Sequence, residues 1–186
     1  MTKIKIAVLL GSLRKQSFTK AVVEALINQS PKEMEYEILD IGYLPLYNQD
    51  LESENREPKE WLSFREIIKN FDAVLLATPE HNRSFSAALK NALDIGSRPY
   101  GHSVWNNKPA AIISVSPGSI GGFGANHHLR QVLTFLNMPV MGQPEAYISN
   151  VMNLMGGDGK ISNENTLGFL KLFADGFLSH INKNVK

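Results

Sequence analysis

The sequence predicts a doubly wound α/β sheet of five parallel strands in the order 2-1-3-4-5, with helices on both faces. Three observations lead to it. Strand-like apolar runs alternate with segments of helical spacing, which implies parallel pairing through crossover helices. There are five such runs, the strand number of that order. The chain has 186 residues, the size of one domain, so one domain is expected over residues 1–186.

The first strand is Ile4 to Leu10, where alternation at Ile4, Ile6 and Val8 passes into a continuous apolar run. Val22, Val23, Leu26 and Ile27 then recur at helical spacing. Tyr36 to Ile41 reads as the second strand, and the polar stretch Asp50 to Pro58 as a surface loop. A helix carries Trp61, Phe64, Ile67 and Ile68, and the third strand is Ala73 to Ala77. The next helix runs from Ser86 to Ile95, with Ala88, Leu89, Ala92 and Leu93 on one stripe. Ala110 to Val115 is the fourth strand, and Leu129, Val132, Leu133 and Leu136 mark the helix after it. Glu145 to Ile148 is the fifth and weakest strand. Leu167, Leu170, Leu172, Phe173 and Phe177 belong to a terminal helix.

Composition removes several function classes. An apolar fraction of 43% with 20% charged residues is that of a globular chain, not a disordered one. Nineteen Lys and Arg against eighteen Asp and Glu leave a formal charge of +1, without the basic excess of a nucleic-acid binder. With no cysteine there is no disulfide, thiolate metal site, iron–sulfur cluster or cysteine nucleophile. The apolar run Ile6 to Leu10 stops at Gly11, too short for a signal-peptide core. No stretch approaches the ~18 apolar residues of a membrane span. A soluble, cytoplasmic protein without a membrane span is expected. His127 and His128 are adjacent and do not share a helix face, so no metal site is expected.

In such a sheet, ligands bind beyond the carboxyl ends of the strands, where the strand order reverses. Three loops should meet there. The loop after the first strand, Gly11 to Lys20, carries hydroxyls at Ser12, Ser17 and Thr19 and cations at Arg14, Lys15 and Lys20. The first acid after Lys5 is Glu24. A helix normally starts with acids that complement its positive end. Here cations and hydroxyls stand in their place, which leaves free N–H groups for an external anion. The same residues also suit a plain Ser N-cap with solvated cations. Position 13 is Leu, so the G-x-G-x-x-G pattern for a pyrophosphate is absent, and no G-x-x-x-x-G-K occurs. A single terminal phosphate fits the loop better.

The loop after the third strand is Thr78-Pro79-Glu80-His81-Asn82-Arg83-Ser84. The Asn82 amide and nearby backbone groups could meet the polar edge of a heteroaromatic ring, although turn residues look the same. The loop after the fourth strand, Ser116 to Gly124, holds four glycines in seven residues from Gly118. It admits close backbone approach to a flat ligand, or is simply a mobile surface loop. No acid occurs from Pro99 through Pro144, which suits an anionic ligand.

Taken together, Gly11-Ser12-Leu13-Arg14-x-x-Ser17, Pro79-Glu80-His81-Asn82-Arg83-Ser84 with Leu89-Lys90-Asn91-Ala92-Leu93-Asp94 and Ser97-Arg98-Pro99, and Ser116-Pro117-Gly118-x-x-Gly121-Gly122 with Leu129-Arg130-Gln131 resemble the NADPH-dependent FMN reductase family. The resemblance covers about residues 3 to 150, each block falling after its expected strand. Among members of that family the chain resembles bacterial chromate and quinone reductases and related azoreductases. It implies a flavodoxin-like fold holding FMN without a covalent bond. NADPH or NADH would reduce the flavin, and a small-molecule acceptor (a quinone, azo compound, nitro compound or oxidised metal) would take two electrons by hydride transfer in a ping-pong cycle. By the resemblance, Ser12, Arg14, Ser17, Phe18 and Thr19 surround the phosphate. Pro79, Glu80, His81 and Asn82 line the isoalloxazine ring, and Ser116 and Gly118 close its other edge. No catalytic side chain is assigned, because the flavin carries the chemistry. The family commonly has Tyr at the position of His81 and Asn at that of Thr19. It also forms homodimers or homotetramers, for which Asp94, Arg98, His127, Arg130 and Glu145 are candidate contacts. The competing reading is an electron-transfer protein of the same fold that serves protein partners; such carriers are typically acidic, whereas this chain is nearly neutral. A phosphoacceptor domain would need an aspartate where the third strand ends in Thr78 and Pro79.

Overall fold

A computed structural model describes residues 3–185; Met1, Thr2 and Lys186, the ends of the expected domain, lie outside the described residues. The strands are β1 (Ile4–Leu10), β2 (Met34–Leu39), β3 (Ala73–Pro79), β4 (Ala110–Val115) and β5 (Ala146–Ile148). All pairs are parallel and the order is β2-β1-β3-β4-β5, as expected. The helices are α1 (Phe18–Gln29), α2 (Gln49–Ser53), α3 (Lys59–Lys69), α4 (Ala87–Gly96), α5 (Phe123–Phe135) and α6 (Glu164–Asn184).

The continuous apolar runs of β1, β3 and β4 are explained by burial on two faces. Ile6, Val8 and Leu10 face α1 and α6, packing with Val22, Leu26, Phe173 and Phe177. Ala7 and Leu9 point the other way, to α3, α4 and α5, where Trp61, Phe64, Leu89 and Leu129 fill the core. Among the described residues no helix is long and apolar enough to cross a membrane.

Three elements differ from the sequence reading by more than one residue. The second strand is Met34–Leu39 rather than Tyr36 to Ile41. It is an edge strand with Glu35 and Glu37 exposed, as edges that resist further pairing are; the buried Ile41 lies past its end and belongs to the loop. The stretch Asp50 to Pro58 is not merely a loop, since α2 begins just before it. Asn48 caps α2, its Oδ1 accepting the Asp50 N–H at 3.0 Å. Glu57 pairs with the buried Arg65 and Glu52 with Arg98, so the most polar segment is fastened to the core by charge. The third strand also runs two residues past Ala77.

Candidate functional site

The carboxyl ends of β1, β3 and β4 bring the three predicted loops together. β1 ends at Leu10, and the Gly11 N–H still donates to the Ala77 carbonyl of β3 at 2.7 Å. A Cβ on Gly11 would meet Ser86 Oγ at 2.7 Å and Leu89 Cδ1 at 2.8 Å. Only glycine lets the loop pass this close to the start of α4.

Ser12 to Gln16 then arch over to Ser17, the N-cap of α1. Ser17 Oγ accepts the Lys20 N–H at 3.1 Å, and its carbonyl accepts that of Ala21 at 3.1 Å. The N–H groups of Phe18 and Thr19 have no intrahelical partner. The first turn of α1 contains no acid, so the positive end of the helix opens onto an arch carrying Arg14 and Lys15, while Lys20 sits in that first turn, 3.7 Å from Glu24. The Arg14 guanidinium lies over the Phe18 ring, 5.3 Å from its centroid. Thr19, in the first turn of α1, is only 2% exposed. Open space borders the arch on both sides. One groove of about 590 Å³ is lined by Arg14, Lys20, Asp40 and Tyr43. Another of about 520 Å³ is lined by Lys15, Phe18, Met155 and Asp158.

β3 delivers Pro79 directly to a tight turn. His81 and Ser84 exchange backbone hydrogen bonds of 2.8 and 2.9 Å. Between them Asn82 and Arg83 both take left-handed backbone, with φ of 51° and 68°, the geometry of a two-residue type I′ turn. Asn tolerates that conformation; Arg rarely does and needs support from its surroundings. His81, Asn82 and Arg83 are exposed. Glu80 is not, because its carboxylate is taken up by N–H groups at the start of α5 and by Arg83.

Beyond β4, Ser116 Oγ accepts the Gly118 N–H at 3.0 Å, and the Gly118 carbonyl accepts the Asn150 N–H at 3.0 Å. Pro117 to Ile120 are exposed. Gly121 and Gly122 follow in left-handed conformation, and Ser114 Oγ donates to the Gly121 carbonyl at 2.8 Å. The loop is thus fastened at both ends, not freely mobile along its length. The turn after β3 and the loop after β4 form an open shelf beside the arch.

The sequence reading missed several residues that support these loops. Ser114 and Asn126 are fully buried polar groups under the glycine loop, with Asn126 Oδ1 accepting from Arg130 Nε at 3.0 Å. Their strand and helix positions read as core, with no sequence signal of a polar role. Phe123, His127 and Tyr147 form an aromatic cluster at the rim, with His127 Nε2 and Tyr147 Oη 3.1 Å apart. Burial pushes the Tyr147 phenol up to about 12, and the Glu145 carboxylate adds to the effect, so this hydroxyl stays neutral. The Asp158 turn against the arch could have been suspected from its Asp-Gly dipeptide. Each residue suggested for subunit contact already has a partner within the chain: Asp94 with Lys90, Arg98 with Glu52, His127 with Tyr147, and Arg130 with Glu145 at 3.7 Å.

Comparison with known proteins gives the family and agrees with the fold. Residues 4–153 match the model of the family described as NADPH-dependent FMN reductase. A quinone reductase of Pseudomonas putida is 52% identical over 96% of this chain and 95% of its own. A 2-hydroxy-1,4-benzoquinone reductase of a Burkholderia species is 43% identical over 96% of each chain. Among solved structures, the flavoenzyme NAD(P)H:(acceptor) oxidoreductase FerB of Paracoccus denitrificans is 39% identical. It superimposes with a TM-score of 0.89, covering 97% of this chain and 98% of its own.

Proposed function

The chain belongs to the NADPH-dependent FMN reductase family, and on that premise we propose that it is an NAD(P)H-dependent, FMN-containing quinone reductase. Bound FMN supplies the two-electron redox chemistry, while the protein binds and orients it and tunes its surroundings. One observation carries the reading: α1 begins without an acid, beneath an arch of cations, with the Phe18 and Thr19 N–H groups unpaired within the helix. A phosphate monoester fits that arrangement.

Ser12, Arg14 and Ser17, with the N–H groups of Phe18 and Thr19, hold the phosphate. Thr19 contributes its backbone N–H, which has no partner within the helix. Pro79, His81 and Asn82 border one edge of the ring, and Glu80 takes part there through its main chain only. Ser116 and Gly118 border the other edge. The exposure of both loops supports a site that admits a nicotinamide and then a quinone to one open face. It also supports azo compounds, nitro compounds and oxidised metals as further acceptors. No side chain is assigned as an acid, base or nucleophile.

The half-exposed Ile120 and Phe123 and the exposed Met152 beside the glycine loop support self-association, and the composition supports a cytoplasmic location. Light scattering of the purified protein reads the assembly directly; a monomer at all concentrations ends that part of the reading.

The test of the main proposal is the absorption spectrum of the purified protein, followed by turnover of NADPH and NADH with a benzoquinone. Flavin bands, released on denaturation as FMN, and steady nicotinamide oxidation are expected. A colourless protein that takes up no added FMN overturns the proposal. Bound FMN without turnover points instead to an electron carrier.

A further inference from the structure

We propose that Glu80 is a positioning residue: its carboxylate locks the turn after β3 to the first turn of α5, and so sets the spacing of the shelf that holds the flavin ring. The inference rests on the FMN reading above, but the clamp itself is a property of the protein alone.

Helix α5 has no capping side chain of its own. Its N-cap is Gly122, in left-handed conformation, and its first turn contains no acid. Glu80 supplies what is missing from the neighbouring loop. Its Oε2 accepts the Gly124 N–H at 3.0 Å and the Ala125 N–H at 3.3 Å. An ionised acceptor on the positive end of a helix is favoured both by charge and by hydrogen bonding. The side chain is 10% exposed, so water competes little for these bonds. Its other oxygen, Oε1, accepts from Arg83 Nη1 at 2.8 Å. One carboxylate therefore joins α5 to the turn and also pairs with the exposed Arg83 guanidinium at the turn's tip.

Two further contacts place the turn against α5. A Cβ on Gly124 would lie 2.8 Å from the Arg83 carbonyl oxygen and 3.3 Å from Glu80 Oε2. One helical turn on, His128 Nδ1 and Ser84 Oγ are 3.1 Å apart. The exposed His81 and Asn82 project from this clamped base. Without the carboxylate, two α5 N–H groups lose their partner and the turn loses its tie. Removing the tie alters the ring half of the site and leaves the arch over α1 untouched.

The experiment compares Glu80→Ala, Glu80→Gln and Gly124→Ala. It reads amide exchange at Gly124 and Ala125 in the flavin-free protein. It also reads binding of FMN, of riboflavin, and of inorganic phosphate followed at the Ser12 to Lys20 amides. Glu80→Ala is expected to speed exchange at both amides by about tenfold or more, as loss of a charge-assisted bond implies. It should weaken FMN and riboflavin by the same factor, about tenfold, with phosphate binding unchanged. Glu80→Gln keeps an acceptor for α5 and should recover most of the ring affinity. Gly124→Ala, which ordinarily favours a helix, should weaken riboflavin with Glu80 intact. Unchanged exchange in Glu80→Ala overturns the clamp. Faster exchange with unchanged riboflavin binding reduces Glu80 to a helix cap and overturns the positioning role, as does an equal loss of phosphate binding. A wild-type protein that binds no FMN overturns the functional reading instead, and the exchange data still judge the clamp.

Discussion

Arg98 and Glu52, 46 residues apart, meet in a two-point pair: Nε to Oε2 at 3.1 Å and Nη2 to Oε1 at 2.8 Å. Tyr47 adds its hydroxyl to Oε2 at 3.0 Å. The pair ties α2 to the end of α4. The Arg98 hydrogen bond is the main cause holding the Glu52 carboxyl below the usual glutamate range, with Tyr47 helping and burial opposing.

Replacing Glu52 by Gln is therefore expected to cost about 1–2 kcal/mol, between an exposed ion pair and a well-made charged hydrogen bond. The folded carboxyl binds its proton less readily than the unfolded one, so the wild-type advantage is full above the ordinary pKa of about 4.3. It fades as pH falls through the lower folded-state value. Urea denaturation of both proteins across that window checks it; a difference that does not shrink in acid contradicts the assigned cause.

Arg14→Ala removes a cation from the arch and its stacking on Phe18. FMN affinity should fall by about 1.5–3 kcal/mol, or about tenfold to a hundredfold. Riboflavin, which lacks the phosphate, should bind as before. Fluorescence titration of the flavin-free protein with both ligands separates the two. Unchanged FMN affinity would remove Arg14 from the site.

Gly11→Ala forces a Cβ onto Ser86 and Leu89. Overpacking of this kind costs about 1–3 kcal/mol and should displace the arch, so stability and FMN affinity fall together. A variant with wild-type thermal stability would show that the start of α4 can give way.

His81→Tyr changes an exposed side chain at the base of the turn tip while its backbone bonds to Ser84 persist. The expected outcome is a changed ranking of quinone acceptors by kcat/KM, with FMN affinity changing less. Abolished FMN binding would mean that His81 does not border the ring.

Much of this was legible in the chain. The two buried faces of β1 are written in its unbroken apolar run Ile6 to Leu10, and the acid-free start of α1 can be seen from Gly11 to Val23. Both signals are local: they depend on which residues neighbour one another in sequence. The displaced β2 and the unforeseen α2 are failures of the same local reading. An edge strand buries too little to show its register, and a five-residue helix is held by contacts made elsewhere. Glu80 shows the difference most clearly. The family resemblance of its loop placed it beside a flavin ring, and only the folded chain turned its carboxylate into α5.

By itself the sequence determined the alternation of strands and helices, the two-sided core and the electropositive arch, because hydrophobic periodicity and helix-end charge act over a few residues. Tertiary structure alone decided which polar groups are spent on holding the loops and which are left to face a ligand. Hydrogen bonds such as Glu80 to Gly124 and Arg98 to Glu52 span more than forty residues, and their partners are chosen only when packing brings distant loops together.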